Sequence, residues 1–455
     1  MQVHVQIRRL AHRQTAFNLS NPVDLRNLFP SSRDLAIRAF VDNEAASDGR
    51  PVEGADKNYG QTVVDGESGI VEDAASDKTV NVTGVLTDDE RVSVQTAWDK
   101  LLRWSRISFG REQKREAALV ESIHKVTVFG GGSFGTAMAT VIARNKPEIA
   151  VVMLVRDEKL AASITAEHTN TRYFQEFDLP HNITATTNSA EALADSDFVI
   201  HAVPVQHSRA FLSQLRDQLP ATMPLVSVSK GLEIGTGEMM SEVVVSSLQR
   251  PQPFACLSGP SFAVEMMQGN PTALVVASED LDLPRLTQWL IASPDLRVNT
   301  SHDVVGVEIA GALKNVLAIA AGIVEGLDLG HNAMAALVSQ GCSEIRWLGE
   351  KMGASPATLS GLSGVGDIML TCFVNLSRNR TVGVRLGSGE KVEDVMSTTS
   401  QVAEGVATAG AVVSLARKYH VSMPVLTAVA RILDGQSTPR DAVMEVMKLP
   451  QVPEV

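Results

Sequence analysis

From residue 125 onward, short apolar runs alternate with longer stretches in which apolar residues recur at helical spacing. The runs Val126–Phe129, Ala150–Val155, Phe198–Val203, Leu225–Ser229, Phe254–Leu257 and Ala273–Ala277 predict strands. Helical stretches between several of them predict a mostly parallel sheet with right-handed crossovers. After about Ser301 these runs stop. The stretches 304–326, 332–351, 401–418 and 424–433, punctuated by glycine, read as helices. The expected architecture is an α/β domain over 123–303 followed by an all-helical domain over 304–455.

The chain upstream has a different pattern. Residues 41–90 are rich in Asp, Glu, Gly, Ser and Asn and poor in large apolar side chains, a composition that cannot offset the entropy of ordering. This segment is expected to be disordered. Val94, Trp98, Leu101 and Leu102 then form one apolar stripe of a helix over 88–108, and a second helical run over 111–122 leads into the first strand. Residues 88–122 are read as a helical lead-in with no chemistry of its own.

Charge sharpens this division. The formal net charge is −12, but residues 41–90 hold 13 acidic side chains against three basic ones, a balance of −10. The rest of the chain is therefore close to neutral, and no basic face points to nucleic acid. The first 23 residues carry Arg8, Arg9 and Arg13 and no acid, which fits an organelle transit peptide. Residues 1–87 are thus expected to be a transit-like and acidic extension. No apolar run reaches the roughly 20 residues of a membrane span, because Lys314 and Asn315 break the stretch 310–324. Cys256, Cys342 and Cys372 are too few and too scattered for a disulfide framework or a metal site. No metal is expected.

The strongest local motif follows the first strand. Gly130, Gly132 and Gly135 make G-x-G-x-x-G between a strand and a helix. In that setting the first glycine permits a tight turn, the second lets backbone approach a pyrophosphate, and the third lets the helix press on the sheet. Helix N–H groups then face the phosphates. The α/β domain is accordingly expected to be a Rossmann-like, dinucleotide-binding one. The second strand ends in Arg156-Asp157. Arg156 suits a 2′-phosphate or the adenine ring, and Asp157 suits a helix cap or a ribose hydroxyl, which leaves NAD(H) and NADP(H) both open.

Three later segments place charge where a structural protein has no need of it. Lys230 follows a strand, at the sheet edge where doubly wound folds bind ligands. Lys314 lies in a helix that is apolar nearly all round and therefore buried. Lost solvation lowers a lysine pKa toward a range useful for proton transfer. Asp367 sits on a glycine-rich turn able to orient an ammonium group. Ser377 can cap a helix whose first residues, Arg378 and Asn379, suit a phosphate. The structural alternatives are a solvated loop lysine, a snorkelling lysine and an exposed Arg pair.

Taken together, the segments 130–137 (GGGSFGTA), 229–233 (SKGLE), 257–263 (LSGPSFA), 312–316 (ALKNV), 366–372 (GDIMLTC), 377–380 (SRNR) and 402–406 (VAEGV) resemble the motifs of the NAD(P)-dependent glycerol-3-phosphate dehydrogenase family, in family order. The resemblance spans roughly residues 125–449, and the plant and algal plastid branch is most similar. It implies an oxidoreductase that interconverts dihydroxyacetone phosphate and sn-glycerol 3-phosphate with NAD(H) or NADP(H). It implies cofactor contacts at Gly130, Gly132, Ser133, Phe134, Gly135, Arg156, Lys230, Ala263, Arg378, Val402 and Glu404. The substrate is expected among Lys230, Gly259, Ser261, Lys314, Asn315, Asp367, Thr371, Ser377, Arg378 and Asn379. Lys314, Lys230 and Asp367 are the implied catalytic groups, with Lys314 as proton acceptor in the oxidation.

Two positions depart from the family pattern: Phe134 stands where many relatives have Trp, and Met334 where bacterial relatives often have a basic residue. By the same resemblance a small phosphorylated substrate, a homodimer and a plastid location are expected, with the cytoplasm as the alternative. Glycerolipid synthesis is the implied consumer of the product. The competing readings are a dehydrogenase of hydroxy acids and a redox sensor that holds NAD(H) without turnover.

Overall fold

In a computed structural model of the protein, the described residues are 70–72, 79–81, 87–103, 122–398 and 403–450. Two units divide the chain, 1–93 and 94–455. In the first, β1 (Ile70–Glu72) pairs antiparallel with β2 (Thr79–Asn81). Val71 and Val80 are opposite one another in this register, within the segment 41–90 read as disordered. Most of that segment, the transit-like beginning and the run 111–121 lie outside the described residues. Helix α1 covers residues 88–103, and its Val94, Trp98 and Leu101 are each more than half exposed.

The second unit is built on an eight-stranded sheet. In chain order its strands are β3 (Lys125–Phe129), β4 (Ala150–Leu154), β7 (Ile183–Thr186), β8 (Phe198–His201), β9 (Leu225–Ser227), β10 (Phe254–Ser258), β11 (Thr272–Ala277) and β12 (Leu296–Ser301). Across the sheet the order is β12-β11-β10-β9-β8-β3-β4-β7. Every neighbouring pair is parallel except β10 and β11. A small antiparallel pair, β5 (Thr169–Asn170) and β6 (Phe174–Asp178), lies apart from it. Both faces of the sheet are apolar and covered, as a parallel sheet requires. Helix α2 (Ser133–Asn145) covers one face over Val126, Val128, Val151 and Met153; Phe129, Val199 and Leu225 pack on the other.

Strands end at Ser301, and α9 (Val304–Gly326) begins at once, capped by Asp303, which accepts a hydrogen bond from Gly306 N at 2.8 Å. Contrary to the expectation that no apolar stretch is long enough, its 23 residues and mean hydropathy of 1.7 suffice by length and composition to cross a bilayer. Yet 94% of its apolar window is buried within the protein. It is the central core helix. Packed around it are α10 (Gly330–Met352), α12 (Asp367–Phe373), α13 (Arg378–Gly387), α15 (Glu404–Tyr419) and α16 (Pro424–Leu433).

The closest of these approaches is between α9 and α13. Gly322 and Gly326 of α9 meet Gly383 and Gly387 of α13, and a Cβ on any of the four would run into backbone of the facing helix. Buried Glu344 of α10 ties α16 to the same core by accepting hydrogen bonds from Val425 N (2.9 Å) and Leu426 N (3.1 Å). Met334, the departure from the family pattern, is buried in this helical core.

Candidate active site

The turn after β3 has the mechanics its glycines predict. Gly130 has a φ of 104°, and a Cβ there would lie 2.8 Å from the Ala202 carbonyl oxygen. At Gly135 a Cβ would run into the Gly130 carbonyl, so the helix rests directly on the turn. Gly132 is different: a Cβ there would meet nothing within 4 Å. It caps α2 without a side-chain hydrogen bond, and the first turn carries no acid. Free N–H groups and the positive end of the helix dipole therefore border open space, a setting that suits a pyrophosphate. Ser133 and half-buried Phe134 follow. At the end of β4, Arg156 is exposed, while Asp157 caps the next helix through Lys159 N (2.9 Å) and Leu160 N (3.3 Å).

Where the sheet edge meets α9, three charged side chains share one contact. Lys314 Nζ donates to Asp367 Oδ1 at 2.5 Å and to Thr371 Oγ at 3.0 Å. Lys230 Nζ donates to Asp367 Oδ2 at 2.8 Å and to the Gly259 carbonyl at 3.1 Å. Asp367 is 1% exposed. Burial disfavours its charge, but the two ammonium groups outweigh that and hold its pKa below the ordinary value. Burial pushes Lys314 down to about 8, with Lys230 acting in the same direction and Asp367 opposing. The group is thereby poised to exchange a proton near neutrality.

The polar groups around this cluster come from several elements. Gly259, at φ 140°, ends β10 where a Cβ would press on β11 backbone, and Ser261 bonds back to its carbonyl at 3.0 Å. Ala263 opens the next helix. Ser377 caps α13 by accepting from Arg380 N at 3.3 Å. Arg378 is exposed and reaches Ser133 Oγ at 3.3 Å, which joins the helical part to the glycine turn. Asn379 donates to Asn315 Oδ1 at 3.1 Å and accepts from Gly405 N at 3.0 Å, linking α13, α9 and α15. Arg380, by contrast, turns away to Glu325.

Glu404, the first residue of α15, is half-buried. Loss of water pushes its carboxyl up to about 7, although Lys230, Lys314 and Arg378 pull the other way. Val402 lies outside the described residues. The cluster therefore brings together Lys230, Lys314, Asp367 and Thr371, with Asn315 and Asn379 adjoining and Arg378 bridging to Ser133. Thr371 is the member the sequence singles out least, yet one helical turn after Asp367 its hydroxyl necessarily falls on the same face.

Both the sheet-bearing part and the helical part resemble known proteins. Residues 125–283 match the family model for the NAD-dependent glycerol-3-phosphate dehydrogenase N-terminus, and residues 303–444 that for its C-terminus. A chloroplastic glycerol-3-phosphate dehydrogenase [NAD(+)] of Oryza sativa subsp. japonica is 61% identical over 363 residues, 80% of this chain and 82% of that protein. A second chloroplastic relative, from Arabidopsis thaliana, is 59% identical over 81% of this chain and 87% of its own. The crystal structure of glycerol-3-phosphate dehydrogenase from Coxiella burnetii superposes with a TM-score of 0.68 at 33% identity, covering 72% of this chain and all of that one. The chain belongs to the NAD-dependent glycerol-3-phosphate dehydrogenase family.

Proposed function

We propose that the protein interconverts dihydroxyacetone phosphate and sn-glycerol 3-phosphate, using a dinucleotide-binding part over 123–303 and a substrate part over 304–455. The observation that carries this reading is the buried Lys314–Asp367–Lys230 cluster beside an arginine-bearing helix start.

Arg378, Asn379 and the first-turn N–H groups of α13 hold the substrate phosphate, with Ser377 fixing that turn. This remote binding orients the reacting carbon against Lys314. In the reduction, the Lys314 ammonium donates to the developing alkoxide; in the oxidation, the neutral amine accepts the hydroxyl proton. Asp367 and Thr371 aim Lys314, Lys230 adds positive charge, and Asn315, Gly259 and Ser261 complete the polar wall. When bound, the nicotinamide supplies or takes up the hydride.

Gly130, Gly132, Ser133, Phe134, Gly135, Arg156, Ala263, Arg378 and Glu404, with Lys230, form the cofactor surface. The cofactor in this reading is NAD(H) or NADP(H). Asp157 is committed to capping a helix, and exposed Arg156 is available to a 2′-phosphate. The enzyme acts as a homodimer, by analogy with the family. The chloroplastic names of two relatives and the arginine-bearing, acid-poor N-terminal composition support a plastid location, where glycerol 3-phosphate feeds glycerolipid synthesis.

Oxidation of NADH and of NADPH, with and without dihydroxyacetone phosphate, tests the reading when run beside Lys314→Ala. Substrate-dependent oxidation that collapses in the variant is expected. No turnover in folded, cofactor-bound protein would overturn it in favour of a redox sensor.

A further inference from the structure

Behind Lys230, on one side of α9, the sheet and helix leave a small pocket of mixed polar and apolar lining. Ser229, Lys230, Ser258, Glu308 and Gly311 are among the residues that line it, and it has room for about one water molecule. On α9, Glu308, Gly311 and Lys314 follow at intervals of three residues, so they run along one side of the helix. Gly311 makes the space. A Cβ there would sit 3.0 Å from Ser258 Oγ and 3.6 Å from Lys230 Cγ.

Two further observations give the pocket a purpose. Ser258 is 3% exposed and its hydroxyl has no hydrogen-bond partner. A buried hydroxyl left so costs about 1–3 kcal/mol, and a pocket-lining one is satisfied by water. Glu308 accepts from Ser241 N (3.0 Å) and Ser241 Oγ (2.5 Å), which leaves acceptor capacity on both of its oxygens. Burial, then Glu242, pushes its pKa up to about 7 against the pull of Ser241. The other titratable groups nearby are Lys230 from the loop after β9, Asp303 from the start of α9, and Cys256 from β10. Burial and Glu308 keep the Cys256 thiol protonated.

We propose that this pocket holds an ordered water that passes protons between Lys230 and Glu308, giving the site a rear exit to solvent that does not cross the bound substrate. The inference rests on the function proposed above. In the oxidation, the substrate O–H bond breaks toward the Lys314 amine. Lys230 gives one ammonium proton to the water as the water gives one to Glu308; Lys314 then passes its proton to the Asp367 carboxylate, which hands it on to the neutral Lys230 amine. Every group returns to its starting state once Glu308, itself half-buried, delivers the proton to solvent. The reduction runs the same chain inward. Glu308 acts through the water and Lys230, without touching substrate.

Two variants of the full chain test this. Glu308→Gln keeps hydrogen bonds to Ser241 but removes the titrating group. Gly311→Ala fills the pocket and leaves every titratable group in place. NADH formation from glycerol 3-phosphate is followed in weak buffer beside a pH indicator, with thermal melting as the control for folding. Wild-type protein should release its proton in step with NADH, and in both variants release should lag by about fivefold or more in the first turnover. A high-resolution crystal structure should show a water bonded to Ser258 Oγ, absent from Gly311→Ala. Synchronous release in both folded variants, or a pocket without that water, overturns the inference. Absent NADH formation by wild-type protein would instead count against the reaction, and the crystallographic water would still decide this point.

Discussion

The Lys314 ammonium lies 2.5 Å from Oδ1 of Asp367, on a carboxylate whose other oxygen is taken by Lys230. Two cations on one buried anion leave the site with excess positive charge. That excess favours an anionic substrate and an alkoxide alike.

The first prediction concerns pH. Burial lowers Lys314 to about 8, and in the proposed mechanism its two protonation states serve opposite directions. Glycerol 3-phosphate oxidation should rise as pH passes upward through about 8, because the neutral amine is the acceptor. Dihydroxyacetone phosphate reduction should fall over the same interval. Opposed kcat profiles would support the assignment; parallel ones would remove Lys314 from the proton step. Lys314→Arg should not rescue, since a guanidinium stays protonated throughout.

Arg378 reaches the glycine turn from the far side of the site, so its loss should be felt by substrate and cofactor together. Arg378→Ala is expected to weaken a charge-assisted contact of about 1.5–3 kcal/mol, or roughly 10- to 150-fold in KM for the phosphorylated substrate. Unphosphorylated dihydroxyacetone should lose far less. Equal losses for both substrates would move the phosphate site elsewhere.

The glycines of the cofactor turn should separate binding from folding. Gly132→Ala adds a methyl group to open space and should leave the melting temperature nearly unchanged. It should nevertheless raise the Kd for NADH at least tenfold, by standing where a pyrophosphate approaches the backbone. Gly135→Ala drives a methyl into the Gly130 carbonyl and should destabilise the fold by about 1–3 kcal/mol. Calorimetry and cofactor titration on the two proteins would show whether the division holds.

Glu344 offers a stability test far from the chemistry. Burial raises its pKa to about 7 in the folded protein, above the ordinary 4.5. Between those values the unfolded chain gives up a proton that the folded one keeps, so this residue's contribution falls as pH rises from about 4.5 to about 7. Glu344→Gln does not titrate. Its stability relative to wild type should therefore improve across that window, by an amount on the order of 3 kcal/mol. A difference independent of pH would show that Glu344 ionises in the fold as it does in water.

The core strands were legible because they are buried on both faces and read as unbroken apolar runs, as in Phe198–His201 and Leu225–Ser227. Ile183–Thr186 and Leu296–Ser301 were not, and they are the two edges of the sheet. An edge strand keeps one side in water and mixes Thr, Arg and Asn with its apolar residues. Lys314 was legible for the opposite reason, as a charge in a helix that has no polar side. Its partners were harder to find. Asp367 lies 53 positions from Lys314 and 137 from Lys230, and no local period connects residues that only tertiary packing joins. Glu308 and Ser258 carried no signal beyond their type, because the space between them exists only through Gly311.

The four glycines where α9 and α13 touch have a further consequence. With no side chains between them, the two backbones cannot slide or spread without losing contact along both helices. One of these helices carries the amine proposed to exchange the proton, and the other begins at the proposed phosphate clamp. The seam therefore acts as a gauge: the separation between the two ends of the substrate is set by bare backbone rather than by adaptable side chains. A molecule with the same charges but one more carbon between carbonyl and phosphate would be rejected for its length.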